Sequence, residues 1–191
     1  MRKRRLHLVS GPSGSGKSWF CQRYKNCYVI TTDNFYIGKS KMKPNSEGEF
    51  DFDAPEALDL KLCHQVVKTL IYSEPGTKVE SPEYDMNISE RKNKPLIKVA
   101  PDYDTIVILE GIFSYHVFNK GETDDPVDLR LWLDVRPEIL LGRRFRRDIE
   151  ERGRTPKSVL EQYNTVLSGY HKYTEPKKPE ADILLPLGTL I

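Results

Sequence analysis

Charge of a single sign is what this sequence most lacks. Its 30 lysines and arginines face 28 aspartates and glutamates, a formal net charge of +2 over 191 residues, so no field of the whole molecule draws it toward nucleic acid. Any basic site has to be local. Cysteine is scarce as well: Cys21, Cys27 and Cys63 form an odd set without C-x-x-C spacing, which argues against a disulfide framework or a zinc ribbon and for reduced, intracellular thiols. Long apolar runs are missing too. The basic start Met1-Arg-Lys-Arg-Arg5 looks like the head of a signal peptide, but Leu6 to Val9 breaks at once into serine and glycine. No secretory or membrane-spanning segment is expected, and a cytoplasmic location follows. The opening charges read as the solvated start of a strand in preference to a nucleic-acid patch. His7, His64, His116 and His171 do not fall at metal-ligand spacing and read as surface or core residues.

What is present is alternation. Short runs rich in β-branched residues, Leu6 to Ser10, Tyr28 to Thr32, Thr105 to Glu110, Leu129 to Val135 and Asp182 to Leu185, predict buried parallel strands. Between them, Lys17 to Tyr24 and Pro55 to Tyr72 predict helices, the second with a core-facing stripe of Leu58, Leu62, Val66 and Leu70. A further helix is predicted to begin at Pro137 and end at Gly153. The chain length suits one domain. The expected architecture is an α/β fold of the P-loop NTPase kind, a mostly parallel sheet covered by helices on both faces, with ligands at the carboxyl ends of the strands. Residues 34–52 and 74–101 interrupt the alternation and are expected as excursions over that edge, the second pairing Lys78 to Glu80 with Leu96 to Val99 as a hairpin.

Gly11-Pro-Ser-Gly-Ser-Gly-Lys-Ser18 matches G-x-x-x-x-G-K-[ST] between a predicted strand and a predicted helix. Such a loop turns consecutive backbone N–H groups inward on a polyphosphate, here through Gly11, Ser13, Gly14, Ser15 and Gly16. Lys17 would neutralise the β and γ phosphates, and the Ser18 hydroxyl would ligate Mg²⁺. Glu110 ends an apolar strand and would face the metal directly or through water. The N-K-x-D and D-x-x-G segments of a GTPase are absent in full, Asn119-Lys-Gly-Glu122 carrying Glu in place of Asp. A small-molecule kinase needs a carboxylate to take the acceptor's proton and cations to steady the migrating phosphoryl group. Asp33, just after the second strand, is the candidate base. Arg143, Arg144, Arg146, Arg147, Arg152 and Arg154 crowd one segment, where an anion or the neighbouring Asp148, Glu150 and Glu151 could answer their charge.

With these residues placed, the sequence resembles the uridine/cytidine kinases within the phosphoribulokinase/uridine kinase group of P-loop kinases. The likeness runs almost end to end, through Gly11 to Ser18, Thr32-Asp-Asn-Phe-Tyr36, Phe50 to Asp59, Pro82-Glu-Tyr-Asp85, Leu109-Glu-Gly-Ile112, Arg143 to Asp148, Glu151-Arg-Gly-Arg154 and Ala181 to Pro186. It implies transfer of the γ-phosphate of ATP (or GTP) to the 5′-hydroxyl of a nucleoside. Asp33 would be the general base, standing beside Ser18 and Glu110 in the metal set. The resemblance also implies that Asp53, Arg144 and Gln162 bind ribose hydroxyls. It puts Arg147, Arg152 and Arg154 in a lid over residues 143–156, Tyr36, Phe52 and Tyr84 around the base, and Arg91 near it. Two positions depart from the family: Ser89 stands where a base-reading histidine is usual, and Met86 where a phenylalanine is common. The resemblance therefore carries a riboside further than it carries uridine. A kinase of nicotinamide riboside, pantothenate or a sugar phosphate, a regulatory module that binds nucleotide without efficient chemistry, and a nucleic-acid end kinase remain as other readings. A small-molecule acceptor is the expected partner, with no membrane and no nucleic acid, and a homo-oligomer is compatible with the sequence.

Overall fold

Buried β-branched runs and the helices between them set the chain into layers. The computed structural model describes residues 2–44, 50–150 and 153–186, less the side chains of Pro137, Glu138, Gln162 and Asn164. In chain order the elements are β1 (Leu6–Ser10), α1 (Lys17–Cys21), β2 (Cys27–Thr31), α2 (Leu60–Tyr72), β3 (Lys78–Ser81), β4 (Tyr84–Asp85) and β5 (Glu90–Arg91). There follow β6 (Leu96–Val99), β7 (Ile106–Glu110), α3 (Ser114–Val117), β8 (Leu129–Asp134), α4 (Pro137–Glu150), α5 (Pro156–Gly169) and β9 (Ile183–Pro186). Five strands form one sheet in the order β2-β7-β1-β8-β9, every pair parallel. Every residue of β1 and β7 is buried, as a strand covered on both faces requires. The chain leaves β1 toward β7 and β2 on one side and later crosses to β8 and β9 on the other. The order therefore reverses at β1, and the crevice at its carboxyl end is where such sheets take ligands.

The expected P-loop α/β architecture is the observed one, with the boundaries moved by local bonding. The predicted helix Pro55 to Tyr72 is broken. Pro55–Ala57 is a single 3₁₀ turn, Leu58 pairs as an extended residue with Tyr36, and Asp59 caps α2 by accepting from the Leu62 N–H at 3.0 Å. Helix α1 stops at Cys21, short of the expected Tyr24, where bonds from Arg23 to Phe20 and from Tyr24 to Cys21 tighten the turn. The expected hairpin is present: β3 and β6 pair antiparallel, and β4 and β5, between them in the chain, form a second antiparallel pair. Helix α5, not foreseen from the sequence, carries a legible start signal, Thr155 accepting from the Ser158 N–H ahead of Pro156. Among the described residues no helix is long and apolar enough to cross a membrane.

The basic start is solvated in part, as expected, with Arg2 and Arg5 exposed and Lys3 half-buried, but not at Arg4. Arg4 is fully buried, and its guanidinium donates to the carbonyls of Leu70 at 2.9 Å and Ser73 at 2.7 Å and to that of Pro101. It thus satisfies the carbonyls left open at the end of α2. Lys3 pairs with Asp128 at 2.8 Å, and Arg2 and Arg4 both lie over the Tyr103 ring. Arg4→Met keeps the stem and deletes the donors. It is expected to cost about 3 kcal/mol, lowering Tm by roughly 10 °C, and thermal unfolding of the variant checks it; an unchanged Tm would remove the capping role.

Candidate active site

The loop after β1 needs its glycines for space as well as for conformation. Gly11, Gly14 and Gly16 hold φ of 141°, 85° and 89°, and a β-carbon on Gly11 would stand 2.7 Å from the Leu133 carbonyl oxygen. The Lys17 ammonium, itself buried, donates to the carbonyls of Gly11 and Pro12 at 3.0 Å each. Burial pulls its pKa down, against the opposing pull of Glu110 and Asp33. Ser18 donates from Oγ to Glu110 Oε1 at 3.2 Å. Burial in turn lifts the Glu110 carboxyl above the usual glutamate range, Lys17 opposing and Asp33 adding to the shift. Lys17 and Glu110 thus each feel the other's charge and that of Asp33.

Asp33 sits in a 3₁₀ turn, Thr32–Phe35, directly after β2. The parallel register sets Thr31 opposite Glu110, so both carboxylates leave the same sheet edge. Gly111 locks the two strand ends together: a β-carbon there would fall 1.8 Å from Thr32 Oγ1, a separation no side chain can occupy. A hydroxyl and neighbouring carboxylate oxygens are the hard donors that Mg²⁺ takes. Among the described residues no group of three or more His, Cys, Asp or Glu is arranged to hold a metal by itself.

A cavity of about 840 Å³ joins the phosphate loop, Asp33 and Glu110 to Tyr36, Phe52, Asp53 and Tyr84. Tyr36 packs at 5.2 Å from Tyr84 and at 6.1 Å, edge-on, from Phe52, and its hydroxyl donates to the Phe52 carbonyl. These rings belong to a small apolar cluster and also face the cavity. Met86 and Ser89 lie in the same wall, carried there by the turn between β4 and β5, where Ser89 holds a φ of 55°. The two excursions clamp one another at this place. The Lys39 N–H donates to the Ser89 carbonyl at 2.8 Å, and Ser40 donates to Glu90 through both its N–H and its hydroxyl.

Over the cavity lie α4 and α5. Asp148 is fully buried and takes both arginines of the stripe that face inward, Arg147 at 2.9 Å and Arg144 at 3.4 Å, while Arg146 pairs with Glu150 in solvent. Arg143 reaches the Ser15 carbonyl of the phosphate loop at 3.5 Å. The Asp53 carboxyl is raised by burial and held back chiefly by Arg144. Arg144, ion-paired with Asp148, thus also acts electrostatically on the Asp53 carboxylate of a separate segment.

A profile of the Phosphoribulokinase / Uridine kinase family matches residues 8–190, nearly the whole chain. The chain belongs to that family. It is 35% identical to the uridine kinase of Clostridium tetani, over 98% of this chain and 90% of that protein. It is also 35% identical to the uridine-cytidine kinase A of Dictyostelium discoideum, over 95% of this chain and 36% of that longer protein. Among solved structures it resembles phosphoribulokinase from Rhodobacter spheroides with a TM-score of 0.66 at 19% identity, covering 100% of this chain and 72% of that one. D-glycerate 3-kinase from Cryptococcus neoformans gives 0.60 at 15% identity, over 89% and 79%. These two likenesses bear on the fold.

Within the family's fold, most of the site residues named from the sequence share one cavity: Asp33, Lys17, Ser18 and Glu110, the aromatic trio with Asp53, and Arg144, Arg147 and Arg154. Arg91 does not join its wall. Its guanidinium donates to the carbonyls of Tyr36 at 2.6 Å and Phe35 at 2.8 Å and stands 3.6 Å from Asp59, so it braces the segment bearing Tyr36. Arg152 lies outside the described residues, and Gln162 falls within α5 with its side chain outside them. Lys39, Thr165 and Val166 also line the cavity and were not foreseen. The Thr155-Pro156 helix start, followed at helical spacing, would have pointed to the last two.

Proposed function

We propose that the protein is an ATP-dependent kinase that phosphorylates the 5′-hydroxyl of a nucleoside or closely similar riboside. The single observation that carries this is one continuous cavity holding a phosphate loop, two carboxylates from adjacent strand ends, and a third carboxylate, Asp53, among aromatic rings. Family membership and the names of the relatives support the same reading.

In this scheme the loop N–H groups and Lys17 take the β and γ phosphates of the donor. Ser18 and Glu110, with Asp33 alongside, would hold Mg²⁺, which when bound neutralises charge on the transferring phosphoryl group. Asp33 accepts the proton of the attacking hydroxyl. Asp53 accepts hydrogen bonds from the two vicinal ribose hydroxyls, which a carboxylate can do together, while Arg144 balances its charge. Arg147 and Arg154 come to the phosphates from above. Tyr36, Phe52 and Tyr84 enclose the base, and the serine and methionine at positions 89 and 86 leave its edge less closely read than a histidine and a phenylalanine would. A cytoplasmic location belongs to the same proposal, supported by three unpaired cysteines.

The test is acceptor-dependent release of ADP or GDP across uridine, cytidine, purine ribosides, nicotinamide riboside, pantothenate and sugar phosphates, with ATP and GTP as alternative donors. Turnover is expected with ribosides. Turnover confined to an acceptor without a ribose would overturn the assignment of Asp53, and ADP release indifferent to every acceptor would leave a nucleotide-binding module.

A further inference from the structure

Gly169 ends α5 in ordinary helical geometry, φ −59° and ψ −41°. Nothing in that backbone conformation asks for glycine, which forms helix less readily than alanine. The reason lies in the segment packed directly against it. A β-carbon on Gly169 would stand 2.6 Å from the Asp53 β-carbon and 3.0 Å from the Asp53 carbonyl oxygen. Both atoms are part of, or bonded to, the main chain, so no flexible side-chain end can swing aside. Gly169 is buried, and it lies three and four residues beyond Val166 and Thr165, which line the cavity, hence along the same stripe of the helix.

We propose that Gly169 is a positioning residue for the acceptor: its missing side chain lets the end of α5 touch the main chain of Asp53 and so fixes where that carboxylate stands. The inference rests on the reading of Asp53 as the group that holds the vicinal hydroxyls. Contact between carbon atoms is relaxed at about 3.5–4.0 Å, so an alanine methyl would have to move the Asp53 segment, or the helix end, by roughly 1 Å. A displacement of that size at a group orienting a substrate is enough to lower kcat/KM by up to about 100-fold. Asp51 does not restrain the segment from the helix side; it bonds the Asp53 N–H from within the same loop at 3.0 Å.

The experiment compares kcat/KM for a riboside bearing the 2′,3′-diol with that for its 2′,3′-dideoxy counterpart, in the full-length wild type, Gly169→Ala, Asp53→Asn and the double variant. Gly169→Ala is expected to lower kcat/KM for the diol acceptor by about 10- to 100-fold, mainly through KM. The dideoxy acceptor and the KM for ATP should stay within about twofold. In the double variant the alanine should add nothing to the loss caused by Asp53→Asn, because both act on one contact. Unchanged diol preference in Gly169→Ala beside a lost preference in Asp53→Asn overturns the coupling and leaves the Asp53 reading standing. Full diol preference in Asp53→Asn overturns both. An equal fall on the two acceptors marks Gly169 as a structural residue only. Should Gly169→Ala fail to fold, adding Asp53→Gly removes the β-carbon that the methyl strikes and should restore folding; no restoration would likewise overturn the contact.

Discussion

Asp33→Asn is expected to lower kcat by about 10² to 10⁴-fold while leaving the KM for ATP nearly unchanged. The amide keeps the size and shape of the carboxylate and loses its capacity to accept a proton. Asp33 is well placed for that task because β2 delivers it, two residues beyond the Thr31 that pairs with Glu110, into the cavity shared with Lys17 and Ser18. The turn itself should survive, since its main-chain bond, from the Asp33 N–H to Thr31 Oγ1 at 3.2 Å, does not use the carboxylate. Steady-state rates with a saturating riboside, alongside a Mg²⁺ titration, separate the two roles assigned to this residue. A loss restored by excess Mg²⁺ would identify Asp33 as a metal ligand, and an unchanged kcat would remove it from the chemistry.

Glu110→Gln should show function set against stability. The glutamine keeps an oxygen for the Ser18 hydroxyl and loses the charge that faces the metal, so kcat should fall by about 100-fold or more. The free variant should nonetheless be more stable than the wild type at neutral pH. Burial raises the folded-state pKa of Glu110 above its ordinary value of 4.5, so the folded chain binds this proton more tightly than the unfolded chain does. The group's contribution to stability is then fully present below that ordinary value and is lost as pH rises through the raised one. A gain in Tm of roughly 2–4 °C, equivalent to about 1 kcal/mol, is expected at neutral pH, closing as the pH is lowered through the glutamate range. Magnesium with nucleotide should stabilise the wild type more than the variant. A variant melting below the wild type at neutral pH would contradict the sign.

Much of the site could be read from the chain because the phosphate loop is a local device. Its spacing, the strand before it and the helix after it occupy one short stretch, and the positive φ of Gly14 and Gly16 is a property that glycine has by itself. The strand Ile106–Glu110 is also visible locally, its apolar run ending in a carboxylate. The arginine stripe was read with two answers open, an anion or neighbouring acids. The structure divides it: Asp148 takes Arg144 and Arg147, Arg146 goes to solvent with Glu150, and Arg143 turns to the phosphate loop.

Sequence alone therefore determined the phosphate loop, the alternation that makes a parallel sheet, and the carboxylates at its strand ends, since each follows from dihedral preference, hydrophobic period and residue type within a few positions. Tertiary structure decided which partner each buried charge and each bare backbone would meet. Arg4 reaches Pro101, 97 positions away, Arg91 reaches the Tyr36 carbonyl, 55 positions away, and Gly169 at the end of α5 meets the main chain of Asp53. Hydrogen bonds and steric contacts act over about 3 Å, and only the folded path of the main chain brings such distant groups within that range.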